Sequence, residues 1–216
     1  MREDIQKVII DFDDTLFDAY AFKRELCAAV VRLGFSEEEF WTTYKQTRDH
    51  MPGMLSYTFA RHAENLISFH PTSTEASVIQ KAFEEIIDHQ DFIFSDARPL
   101  LDFLKSQKKT LILLSLGDTV FQSRKVENSG LVRFFDRIEL VDTRKLDVIQ
   151  LLVDGHEPVY FLNDKALETK EILECYPHWQ ALLRERADHS LSHYVESGLP
   201  YFKDLSDMQA YLMAHK

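Results

Sequence analysis

Three apolar residues, Val8, Ile9 and Ile10, run straight into acids at Asp11, Asp13 and Asp14, with Thr15 and Leu16 following. Such a run is consistent with a short buried strand. The charges begin where that strand leaves its sheet. In open α/β sheets, ligands bind outside the carboxyl ends of the strands. Asp11 and Asp13 would repel each other there unless a cation lies between them or one is protonated. The pattern therefore points to a hard-metal site, a carboxylate nucleophile, or both. A strand followed by an acidic turn is the plainer alternative, since Asp is common in turns.

Asp11-Phe12-Asp13-Asp14-Thr15 resembles the first motif of the haloacid dehalogenase-like (HAD) phosphohydrolase superfamily. The resemblance implies three further motifs in order. The second is an apolar strand ending in a hydroxyl, and Thr110-Leu111-Ile112-Leu113-Leu114-Ser115 fits, with Gly117 just beyond. A strand-end hydroxyl can donate to a phosphate oxygen. The third is a Lys near a helix start. Lys145 fits, with Arg144 as a neighbouring rival and Leu146 where the family often has Pro. The fourth is an apolar strand ending in acids, here Val159-Tyr160-Phe161-Leu162-Asn163-Asp164. Asn163 stands where the family commonly has Gly, and Glu168 where it has a second Asp.

By this resemblance Asp11 is the nucleophile and Asp13 the general acid and base. Ser115 and Lys145 hold the phosphate oxygens. Mg²⁺ is held by Asp11, Asp164 and the backbone carbonyl of Asp13, and Glu168 is a possible support through a water. Asp14 has no assigned role, and Thr15 is read as a brace of the loop. The implied activity is Mg²⁺-dependent hydrolysis of a small phosphorylated metabolite through an aspartyl-phosphate. A phosphotransferase or phosphomutase on the same core, or an inactive HAD-like binding protein, are the alternatives.

The 216 residues suffice for one domain and a modest insert. Hydrophobic residues make up 45%, which argues against global disorder. Acids outnumber Lys and Arg by 36 to 25, a net charge of −11, with no basic stripe, so nucleic-acid binding is not expected. No apolar stretch approaches membrane-spanning length, and Met1 to Asp4 is charged rather than leader-like. Cys27 and Cys175, the only cysteines, give no disulfide framework. Together these suggest a cytoplasmic protein. Oligomeric state is not readable.

Residues 18 to 90 read as helix after helix. Ala21 to Leu33 ends at Gly34, Ser36 with Glu39 forms a helix start, Pro52-Gly53 breaks the next segment, and Leu55 to Phe69 and Thr74 to His89 follow. Beyond Asp96, helices and strands alternate: helices at 98–105, 119–128, 145–153, 165–175 and 205–214, strands at 111–114, 137–141, 159–162 and 180–183. Alternation of this kind implies parallel pairing. The expected fold is a three-layer α/β/α Rossmann-like core with a parallel central sheet, residues 1–16 and 92–216. A small all-helical cap, residues 17–91, is inserted between the first two motifs. The first strand should lie centrally, beside those ending at Ser115 and Asp164.

Lys23, Arg24, Lys45, Arg48 and Arg61 of the insert are candidate contacts for distal substrate groups, though surface solvation explains each. Its aromatics Phe22, Phe40, Trp41, Tyr44, Tyr57 and Phe59 lie at helical spacings and are read mainly as core. Cys175-x-x-His178 and His189-x-x-x-His193 have finger-like spacing, but a single Cys is present where two usually pair with two His.

Overall fold

The computed structural model describes residues 5–49 and 56–215. The Pro52-Gly53 break and the start of the helix expected from Leu55 lie outside these residues. Strand β1 spans Lys7–Ile10. Helices α1 (Ala19–Arg32), α2 (Glu37–Arg48), α3 (Phe59–Phe69) and α4 (Ala76–His89) follow it. Then come α5 (Ala97–Ser106), β2 (Thr110–Leu116), α6 (Thr119–Asn128), β3 (Arg137–Val141) and α7 (Lys145–Ile149). The chain closes with β4 (Val159–Asn163), α8 (Ala166–Cys175), β5 (Gln180–Arg184), α9 (Ser192–Val195), β6 (Tyr201–Phe202) and α10 (Leu205–Ala214).

All six strands pair in parallel, in the order β3-β2-β1-β4-β5-β6. β1 is central, flanked by the strands that carry Ser115 and lead into Asp164, as the sequence predicts. A parallel sheet covered on both faces needs strands apolar on both sides. β1 meets this with Val8, Ile9 and Ile10 all fully buried. Successive side chains point to opposite faces of a strand. Val8, Ile10, Leu111, Leu113, Tyr160 and Leu162 accordingly enter one core, and Ile9, Ile112, Leu114, Val159 and Phe161 the other.

The first of these cores continues without a break into the helical insert, through Phe22, Leu26, Phe40, Leu66, Ile79 and Phe83. The two chain passages that join insert to sheet run side by side. The Asp18 N–H donates to the Phe92 carbonyl (2.7 Å) and the Phe94 N–H to the Leu16 carbonyl (3.0 Å). A further tie comes from α6, where Arg124 makes a two-pronged contact with Asp88 at the end of α4 (2.7 and 3.1 Å).

The capping box read at Ser36 is present. The Ser36 hydroxyl accepts from the Glu39 N–H, and the Glu39 carboxylate accepts from the Ser36 N–H. Ser36→Ala is expected to lower stability by about 1 kcal/mol, measurable as a shift in the urea midpoint without change in slope. An unchanged midpoint would show that tertiary contacts alone hold the start of α2.

Two details differ from the sequence expectation. Helix α7 ends at Ile149 rather than near Val153, because Leu151 and Leu152 bond three residues back and tighten the chain into turns. Leu152 and Val153 are nonetheless buried; apolar spacing reports burial, not the hydrogen-bond pattern. The two-residue edge strand β6 and the one-turn α9 are too short to leave a period in the sequence. Among the described residues, no helix is long and apolar enough to cross a membrane.

Candidate active site

The first motif leaves β1 in a tight loop. The Asp11 N–H extends the ladder to the Leu162 carbonyl (2.9 Å), and the Phe12 carbonyl then accepts from Leu16 and Phe17 (2.9 and 3.0 Å). Asp14 takes a left-handed backbone with φ +58°, a conformation that Asp tolerates better than most residues. This turn directs Asp11, Asp13 and Asp14 into a cavity of about 360 Å³ between the sheet edge and the helical insert. Asp164 and Lys165 line the same cavity.

Asp11 is buried and both of its oxygens are held. Oδ1 accepts from Lys145 Nζ at 2.6 Å, and Oδ2 accepts from the Thr15 hydroxyl at 3.2 Å. Lys145 is itself buried and also donates to Glu168 Oε2 at 3.0 Å. Burial opposes its charge, but the charges of Asp11 and Glu168 overcome that and raise its pKa. Burial likewise acts against ionised Glu168, and Lys145 outweighs it, holding the carboxyl below its usual range. Glu168 Oε2 also accepts from Asn163 Nδ2 at 2.9 Å. The contacts of Glu168 are thus with Lys145 and Asn163. Arg144, the rival to Lys145, is exposed and pairs with Glu171 at 3.1 Å.

Asp13 is gripped from α6. Lys125 Nζ lies 2.6 and 2.7 Å from its two oxygens, and Gln122 Nε2 lies 2.8 Å from Oδ2. Burial would raise the Asp13 pKa, but Lys125 reverses the sign and keeps the carboxyl ionised. Gln122 Nε2 also reaches the Ser115 hydroxyl (3.1 Å) and the Leu116 carbonyl (3.0 Å). A side chain at Gly117 would strike this amide, since a Cβ there falls 2.9 Å from Gln122 Nε2. Any Cβ there would have to displace the Gln122 amide from its contacts with Asp13 and Ser115.

Asp164 is buried, and its Oδ2 lies 3.2 Å from Arg186 Nη1. Arg186 also pairs with Asp14 (3.2 Å) and Asp188 (2.9 Å). Asp164 Oδ1 is buried with no hydrogen-bond partner. Burial, then the charge of Asp11, pushes this carboxyl up to about 7. An orphaned carboxylate oxygen close to a second carboxylate is costly unless a cation completes it. Mg²⁺ needs only one or two carboxylates, filling its remaining positions with water, carbonyl and phosphate oxygens. The donors Asp11 and Asp164, with the Asp13 carbonyl, fit that ion. They are too few for an all-side-chain cage, and among the described residues no group of three or more His, Cys, Asp and Glu side chains is arranged to hold a metal.

Of the residues expected from sequence, Asp11, Asp13 and Asp164 line the cavity, Lys145 bridges Asp11 to Glu168 behind it, and Ser115 is linked to Asp13 through Gln122. Three others were missed: Gln122, Lys125 and Arg186. Gln122 and Lys125 are three apart on α6, so they share a face, but nothing local announces that the face meets Asp13. Arg186 lies just past β5, and the sheet-edge rule applied to that strand would have found it. The finger-like pairs do not converge. His178 Nε2 lies 3.0 Å from the Glu157 carbonyl, while the rings of His189 and His193 meet edge-on at 5.7 Å beside a different loop.

A model of the haloacid dehalogenase-like hydrolases matches residues 5–161. The chain belongs to this family. Solved structures share the HAD fold at low identity. A HAD-like hydrolase from Burkholderia xenovorans LB400 is 16% identical with a TM-score of 0.73, covering 95% of this chain and 98% of its own. A magnesium-bound HAD hydrolase from Bacillus subtilis is 11% identical with a TM-score of 0.64, covering 97% and 99%. The L-2-haloacid dehalogenase of Xanthobacter autotrophicus is 17% identical with a TM-score of 0.61, covering 89% and 82%. No curated protein matches the chain. HAD hydrolases thus include carbon–halogen chemistry on this fold, and the choice between chemistries rests on the site.

Proposed function

We propose that this HAD hydrolase is a Mg²⁺-dependent phosphohydrolase acting on a small phosphorylated metabolite in the cytoplasm, without nucleic-acid partners. The observation that carries this reading is the second carboxylate, Asp13, held beside Asp11 in the same cavity by Lys125 and Gln122. Displacement of a halide needs one carboxylate nucleophile and no acid for the leaving group. A phosphate ester releases an alkoxide, so a proton donor beside the nucleophile is useful.

In this reading Asp11 attacks phosphorus and the ester P–O bond breaks, giving an aspartyl-phosphate. Asp13 is ionised beside Lys125 in the free enzyme, so it first takes up the proton carried by the bound monoester monoanion, passes it to the departing oxygen, and then takes one from the water that hydrolyses the intermediate. Lys145 fixes Asp11 Oδ1 and leaves Oδ2, held only by the Thr15 hydroxyl, as the attacking oxygen. The Ser115 hydroxyl would donate to an equatorial phosphate oxygen, and Lys145, whose N–H groups go to Asp11, Asn163 and Glu168, would offset the gathered negative charge. Asp11, Asp164 and the Asp13 carbonyl would hold Mg²⁺, which supplies charge neutralisation between two anions when bound. The metal-bound Bacillus subtilis relative supports this assignment.

The test is release of 4-nitrophenol from 4-nitrophenyl phosphate. Turnover with Mg²⁺ should fall at least about 100-fold in EDTA and return on adding Mg²⁺. Chloride release from an L-2-haloacid without phosphate release would replace this reading with a dehalogenase. Absence of both activities, with Mg²⁺ binding intact by calorimetry, would favour a protein that only binds.

A further inference from the structure

We infer that the natural substrate carries a compact, uncharged ring close to its leaving oxygen. This rests on the phosphohydrolase reading and narrows it to a substrate class. The acidic floor of the cavity is Asp11, Asp13 and Asp164, whereas the wall facing it is built from carbon: Phe22 and Leu26 of α1, Tyr44 of α2, Tyr57, and Phe121 of α6. The rings support one another. Tyr44 meets Tyr57 at 5.1 Å between centroids, Tyr57 meets Phe121 edge-on at 5.2 Å, and Phe22 meets Phe121 at 6.3 Å. Aromatic walls bury flat apolar groups well.

The polar groups of this wall are largely engaged elsewhere. Thr43 donates its hydroxyl proton to the Glu39 carbonyl (2.7 Å), so it accepts from His62 Nε2 (3.1 Å). His62 is wholly buried, and burial pushes its pKa down to about 3, so the ring is neutral. Its Nδ1 is then an acceptor, and Tyr57 donates its hydroxyl proton there at 2.8 Å. The Tyr57 proton is therefore turned away from any ligand. Arg48 lies at the far end, with its Nε and Nη2 bonded to the exposed Asp49 carboxylate at 2.6 and 2.8 Å. What remains on the aromatic side is the Tyr44 hydroxyl, the Arg48 Nη1 group and Lys23, with Asp118 and Lys165 elsewhere in the lining. A sugar phosphate would bring several hydroxyls against carbon and leave them unpaired, which a polar ligand tolerates poorly. A single ring with few polar atoms suits the wall.

Calorimetric titration with non-hydrolysable phosphonates in the presence of Mg²⁺ tests this independently of turnover. Benzylphosphonate should bind at least ~10-fold more tightly than propylphosphonate. Tyr44→Leu should reduce that ratio by about 5-fold, and Tyr44→Phe should preserve it, because the ring rather than the hydroxyl makes the contact. Equal affinities, or no binding of either compound, would overturn the ring site. Rates on benzyl phosphate, propyl phosphate and glucose 6-phosphate, all primary alkyl esters with similar leaving oxygens, then separate the two readings. A preference for benzylphosphonate without hydrolysis of any ester would keep the ring site and sink the phosphohydrolase. Hydrolysis that is fastest on glucose 6-phosphate would do the reverse.

Discussion

Asp11→Asn is expected to abolish Mg²⁺-dependent turnover of 4-nitrophenyl phosphate, by about 10⁴-fold or more, the scale of loss when a covalent nucleophile is removed. The amide has the shape of the carboxylate but lacks its nucleophilic lone-pair charge. The shell around it should survive. Lys145 can still donate to the amide oxygen, the Thr15 hydroxyl can turn to accept from the amide N–H, and Lys145 retains Glu168 at 3.0 Å. One of two neighbouring acids is removed, so repulsion of buried Asp164 falls. The variant should therefore melt close to the parent. A folded Asp11→Asn protein with more than about 1% of parent activity would rule out nucleophilic catalysis by this residue.

The second large effect is expected at Lys145. Lys145→Met keeps length and removes the ammonium. Asp11 Oδ1 and Glu168 Oε2 lose their charged donor in a site where Asp11 is 4% and Lys145 1% exposed. Removing one partner of a buried ion pair costs about 3–5 kcal/mol, because the other charge is stranded. Loss of a positioned donor at the reacting centre costs a further ~10² to 10³ in rate.

The stability loss should depend on pH in a fixed direction. In the parent, Lys145 lowers the folded pKa of Glu168, so the stabilisation is present above the unfolded value of about 4.3 and is lost as pH falls through the folded value. Lys145 itself has a raised folded pKa, so its contribution is full below about 10.4 and lost as pH rises through the folded value. The gap between parent and Lys145→Met should then be widest between about pH 6 and 9 and should close toward pH 3 to 4. A gap in urea stability that stays constant down to about pH 3 would show that Lys145 acts through packing rather than charge.

Much of the architecture was legible because it rests on local regularities. Val8-Ile9-Ile10 and Leu111 to Leu114 are apolar on consecutive positions, as strands covered on both faces must be. Ser36 and Glu39 carry their own cap, so the start of α2 needed no tertiary information. Among the aromatics of the insert, Phe22, Phe40, Tyr57 and Phe59 are buried as expected, and Phe22 and Tyr57, with half-buried Tyr44, also line the cavity. Helical spacing cannot separate those two fates, because both demand the same inward stripe. The cations of the insert divide similarly: Lys23 and Arg48 line the cavity, whereas Arg24 pairs with Glu37 at the surface.

The sequence by itself determined where the acids would gather. Asp11, Asp13 and Asp164 each follow an apolar run closely, and a parallel sheet delivers the ends of all its strands to one edge. Only the tertiary structure decided the electrostatic partners. Lys125 meets Asp13 across 112 residues, and Lys145 meets Asp11 across 134. Arg186 reaches Asp14 and Asp164 from the loop after β5. Strand ends follow from hydrophobic period, which a chain shows locally. Pairing of buried charges follows from which helix faces come together, and that is set by the packed fold as a whole.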